Sequence, residues 1–74
     1  MKIAPEEKNY KDLVDVVSSS LIYLGKAEPG TTTNDNFWQI FRKQKTGTVW
    51  FTEMADGNEK FDNVWDNRAS LSYS

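Results

Sequence analysis

The sequence predicts a small α+β domain in which an antiparallel sheet of three or four strands is packed by a short helix. Three observations lead there. Apolar residues recur at alternate positions over 37-43 and 48-54 with a glycine-bearing turn between them, the apolar period changes to three and four after Ala55-Asp-Gly57, and alternation returns over 69-73. The expected strands are 21-27, 37-43, 48-54 and 69-73, with a helix over 58-66. Residues 1-20 precede this domain of residues 21-74 as an arm or as a helix over 5-17.

In the N-terminal segment, Pro5, Glu6 and Glu7 suit a first helical turn, and Tyr10, Leu13, Val14 and Val17 recur at helical spacing. Val14, Val16, Ser18 and Ser20 equally form the alternate positions of a strand, and β-branched residues favour that reading. A flexible arm that docks on a neighbour is a third reading of the same residues. Leu21-Ile-Tyr-Leu-Gly-Lys-Ala27 is short and apolar and ends at Glu28-Pro29-Gly30, so it reads as a strand closed by a turn. Gly25 inside it marks a bulge or a close approach. The polar stretch 31-36 extends the turn into a surface loop suited to a binding contact.

Over 37-43 the alternation places Trp38 and Ile40 on one face and Phe37, Gln39 and Phe41 on the other. A turn over 44-47 returns the chain as 48-54, where Trp50, Thr52 and Met54 share one face and Val49, Phe51 and Glu53 the other. Both faces of this hairpin carry bulky residues. One face is expected to pack on the helix, and the other must find a loop, a second sheet or a partner. Asp56 and Glu59 stand at capping-box spacing ahead of Phe61, Val64 and Trp65, which sets the expected helix, and Asn67 can end it. Ala69, Leu71 and Tyr73 then line one face of a last strand.

A chain of 74 residues forms one domain at most and buries only about 60% of the surface its unfolded form exposes. Its ten aromatic residues must supply the core, and some are expected on the surface or in a contact. The sequence has no cysteine and no histidine, so disulfides, thiolate zinc sites and histidine general bases are excluded together. The net charge of −2, with both signs interspersed, offers no strong field for nucleic acid or anionic lipid. No apolar run approaches the ~20 residues of a membrane helix, and acids stand where a secretory signal would be apolar. A soluble protein used without export by that route is expected.

No catalytic, cofactor-binding or metal residue is expected. Asp56, Asn58, Asp62, Asp66 and Asn67 crowd oxygen donors together, but Phe61, Val64 and Trp65 interrupt the alternation that a calcium loop needs. Asp62 and Asp66 lie four apart, and paired carboxylates serve glycoside hydrolysis, yet so small a chain lacks the cleft to raise one of their pKa values. Arg42, Lys43 and Lys45 beside Phe37, Trp38 and Phe41 could form a platform for single-stranded nucleic acid, or simply shield an edge strand. The acidic balance favours shielding. Phe37, Trp38 and Phe41 are expected instead at a protein contact, with Trp38 or Phe41 as the central ring and Arg42 and Lys43 as its polar rim.

The segments Tyr23-Leu-Gly-Lys-Ala-Glu-Pro-Gly30, Trp38-Gln-Ile40, Ala55-Asp-Gly57 and Phe61-Asp-Asn-Val-Trp-Asp-Asn-Arg-Ala-Ser-Leu-Ser-Tyr73 resemble, in that order, a group of short proteins encoded by tailed bacteriophages, often among the genes for virion structure. The resemblance spans about 21-74, and its specific part is 61-73. It implies a non-enzymatic virion component, made in the host cytoplasm and docked in multiple copies on larger virion proteins at the tail, baseplate, neck or capsid surface. No membrane partner and no cofactor are expected. The chain departs from the pattern at Met54, where tryptophan commonly precedes Ala-Asp-Gly, and in the length of 1-20. The alternative expectation is a soluble phage accessory protein that binds a host protein or single-stranded nucleic acid.

Overall fold

Residues 9-74 are described by a computed structural model. Four strands, β1 (Lys11–Ser18), β2 (Leu21–Ala27), β3 (Gln39–Thr46) and β4 (Val49–Met54), form one antiparallel sheet in the order β1-β2-β3-β4. A 3-10 helix, Trp65–Ser70, follows them. The described residues are therefore mostly β, with far less helix than the α+β expectation.

Residues 11-18 are a strand of this same sheet, which corrects the helix over 5-17 and the arm over 1-20 for the part that is described. Residues 5-8, the first turn of that helix, lie outside the described residues. The spacing of Tyr10, Leu13, Val14 and Val17 satisfies both periods, and pairing with β2 selects the strand because Leu13 then falls opposite Gly25 on the covered face. A bulge between Val16 and Ser18 marks the end of β1.

The β3–β4 hairpin forms as its alternation predicts, but the turn is tighter than expected. Thr46 pairs with Val49, so β3 runs past 43 and only Gly47 and Thr48 turn the chain. Gly47 takes φ +62°, which suits the first central position of a two-residue hairpin loop. Thr31 N–H donates to Glu28 O at 3.2 Å and closes the turn expected at Glu28-Pro29-Gly30.

One face of the sheet is covered by the loop after β2 and by everything after β4. Tyr23, Ala27, Trp38, Ile40, Ala55 and Trp65 are buried there, with Leu13, Leu21, Leu71 and Tyr73 packed around them. Trp38 and Trp65 meet at 6.0 Å between ring centroids, tilted by 42°. Gly25 makes this possible: a Cβ at that position would stand 2.5 Å from Cε3 of Trp65 and 3.2 Å from Cε3 of Trp38. The close approach read from the sequence is this stacking of rings on bare backbone.

The helix over 58-66 and the strand over 69-73 are not formed as expected. Asn63 exchanges both backbone hydrogen bonds with Trp38, at 3.0 and 3.1 Å, which holds that stretch extended. Asn58 accepts from Lys60 N–H through its side chain, and Asp56 sits at φ +58°, so the apparent capping signal builds a turn. The 3-10 helix then takes up Ala69 and Ser70, and Tyr73 pairs only with Ala55 as an isolated bridge. Trp65 is buried as expected, but Phe61 is exposed and stacks on Tyr10 at 5.7 Å.

Side chains knit this irregular cover to the sheet. Trp38 Nε1–H donates to Thr32 O at 2.9 Å, and Asp66 N–H donates to Thr33 O at 3.1 Å, so the loop after β2 is tied down at both tryptophans. Thr32 N–H in turn donates to Asp35 Oδ2 at 2.9 Å, and that bond holds the Asp35 carboxyl below its ordinary pKa. Arg68 pairs with Asp15 of β1 at 3.0 Å, lies 4.6 Å from the Trp65 ring and offers its carbonyl to Tyr73 OH at 2.8 Å.

Candidate functional site

The pairing register sorts every strand residue onto one of two faces. On the face away from the core, Val14 stands opposite Leu24, Leu24 opposite Phe41, and Phe41 opposite Met54. One apolar row therefore crosses all four strands, about 15 Å from β1 to β4 at ordinary strand spacing. The next row adds Val16 and Ile22 before turning polar at Lys43 and Thr52. Val14 is 61% and Val16 65% exposed, while Ile22, Leu24, Phe41 and Met54 are half-buried, flanked by their neighbours in the rows.

Among the described residues, no other helix or strand lies over this face, because the 3-10 helix is committed to the opposite one through Trp65 and Gly25. Val14 and Val16 leave the β1 end of these rows in water, and a contiguous apolar patch rimmed by polar residues is the usual mark of an interaction surface. Asp12, Lys26 and Gln39 border it at one end, and Lys43 and Lys45 at the other, so an apolar centre is framed by charge.

The five residues expected at a contact are divided by the strand period. Phe37, Phe41 and Lys43 have accessible surface, and Phe41 and Lys43 face outward with the bare rows. Trp38 is fully buried and is the centre of the core, so its ring is not available to a partner. Arg42 points to the covered side, where it pairs with Glu53 at 2.7 Å and lies 4.6 Å from the Tyr73 ring. It is a structural cation and not a rim residue. The same division separates Phe41 and Lys43 from Trp38 and Arg42, so the nucleic-acid platform read from 37-45 is not assembled on one surface.

Val14, Val16, Ile22, Leu24 and Met54, which share the outward face with Phe41, were not among the residues expected at a contact. The signal was present as the alternation of Val14 and Val16 and of Ile22 and Leu24, but only the register shows that these residues line up with Phe41.

A second feature lies at the end of the sheet. Tyr10, Phe37, Phe61, Thr31 and Glu28 line an open groove of about 440 Å³, and Lys26 Nζ lies 5.3 Å from the centre of the Tyr10 ring. Among the described residues, no group of three or more acidic side chains is arranged to hold a metal ion, and Asp56, Asp62 and Asp66 are spread over a turn, an extended stretch and the 3-10 helix. Comparison with family models, with curated proteins and with solved structures finds no match.

Proposed function

We propose that this protein is a non-enzymatic docking module that binds larger proteins through the outward face of its sheet. The observation that carries the reading is the row Val14–Leu24–Phe41–Met54, an apolar stripe across every strand with no described element over it. A one-layer sheet of this kind gains most by laying its bare face on another surface, since that burial adds to a small core, six buried hydrophobic side chains among the described residues with four partly buried ones around them. Phe41 is the central ring, and Lys43 and Lys26 are rim cations.

The resemblance of 21-74 to small tailed-phage proteins names the setting: a component of the virion, made in the host cytoplasm, placed at the tail, baseplate, neck or capsid surface and held in many copies by a symmetric array. Repeated modest contacts suffice there. An accessory protein that captures a host protein would use the same face. The nucleic-acid form of that alternative is disfavoured by the turning of Trp38 and Arg42 to the covered side.

Mass spectrometry of washed phage particles tests the reading. A virion component is recovered in stoichiometric amounts, and the Val14→Asp and Val16→Asp double variant is lost from particles while remaining folded. Absence of the wild-type protein from washed particles, with abundance in infected cells, overturns the virion assignment in favour of an accessory role.

A further inference from the structure

The two edges of the sheet are not alike. β1 ends in a bulge and carries Lys11, Asp12 and Asp15, the devices that discourage strand addition. β4 has no proline, bulge or charge over 49-52, and its Glu53 is turned to Arg42. Val49, Trp50 and Phe51 are three consecutive apolar residues, 53%, 42% and 50% exposed, distributed over both faces of this edge. Such a run is a liability unless something covers it.

Hydrogen bonding at the far end of β4 shows which backbone groups point outward. Met54 N–H donates to Ser74 O at 2.9 Å and Ser74 N–H donates to Met54 O at 3.2 Å, so Met54 faces away from β3. By strand alternation, the N–H and C=O of Thr52 and Trp50 also face away from β3. The last residues of the chain thus already add to one half of this edge, and among the described residues nothing adds to the other half.

We propose that the free half of β4 pairs with β4 of a second copy, antiparallel about a two-fold axis at Trp50, to give one eight-stranded sheet. The occupant follows from self-complementarity. In this register Trp50 exchanges both backbone bonds with the partner's Trp50, and Phe51 stands opposite the partner's Val49, twice. Thr52 meets the partner's Thr48, and the added strand stops short of the position opposite Met54 that Ser74 fills. A two-fold axis at Phe51 fails on both counts: it sets Val49 against Glu53 and drives the partner's Thr48 into the place of Ser74. The pairing uses the edge and leaves the row of Val14, Leu24, Phe41 and Met54 uncovered, so it stands apart from the docking reading.

Sedimentation velocity over a range of concentrations up to millimolar, with amide exchange at the ends of the range, tests this. The wild-type chain is expected to pass from monomer to dimer, with the Trp50 and Thr52 amides gaining protection as concentration rises. Trp50→Glu is expected to remain monomeric throughout. Its carboxylate faces Lys45 within the chain, which preserves the hairpin, but meets its own copy across the axis. Thr52→Pro is a second variant, because it removes an outward donor and spares the bonds to β3. A wild-type chain that stays monomeric at millimolar concentration overturns the proposal. So does a dimer that survives Trp50→Glu, including one that is broken instead by Val14→Asp, which would move the self-contact to the sheet face.

Discussion

Gly25 and Tyr73 each place a definite demand on the residue they occupy. The Trp65 ring lies on the backbone of Gly25, and Trp65 has no room to retreat because it is buried against Trp38. Gly25→Ala is therefore expected to cost about 1–3 kcal/mol through overpacking, measured by urea unfolding. Tyr73 is half-buried beside Tyr23, and burial, followed by the Tyr23 hydroxyl, pushes its pKa up to about 12, against the opposing pull of Arg42 and Arg68. The unfolded chain then releases this proton at lower pH than the folded one, near the ordinary tyrosine value of 10.0. Its contribution is complete below pH 10 and is lost as pH rises toward 12. Tyr73→Phe is expected to lower stability at pH 7 by about 1 kcal/mol, since the bond to Arg68 O disappears, and to flatten the decline between pH 10 and 12.

At the level of elements, strands inside the sheet were legible and its cover was not. The faces assigned to Trp38, Ile40, Phe37 and Phe41, and to Trp50, Thr52 and Met54, hold because a period of two is fixed once a hairpin forms around Gly47. The stretch 58-70 misled because Phe61, Val64 and Trp65 have helical spacing, whereas Asn63 is claimed by the backbone of Trp38, twenty-five positions earlier. No local pattern announces such a pairing. β1 was ambiguous for a related reason: its apolar residues serve two faces with different fates, Leu13 packed and Val14 bare. These elements make opposite demands on two aromatic residues that stand about one turn apart in the abandoned helix. Trp65→Ala is expected to cost about 3–5 kcal/mol. Phe61→Ala should cost about 1 kcal/mol or less, the worth of an exposed ring pair with Tyr10. Equal losses in thermal unfolding would restore the helix in which both rings share a buried face.

For the whole molecule, the sheet has one face spent on its core and, among the described residues, one with no helix or strand over it. The face of the sheet was half legible: of the residues expected at a contact, Phe41 and Lys43 lie on the outward face while Trp38 and Arg42 belong to the covered side, and only tertiary pairing aligns the valines of β1 with Phe41. Val14→Asp and Val16→Asp should each change stability by about 1 kcal/mol or less, because these side chains are already in water. The most direct test is solvent paramagnetic relaxation of assigned methyl groups, with a soluble gadolinium chelate added to the isolated chain at a concentration where it is monomeric. The methyls of Val14 and Val16 should relax strongly and those of Ile40 weakly. Protection of Val14 and Val16 equal to that of Ile40 would mean that the face is already covered, and would contradict the account.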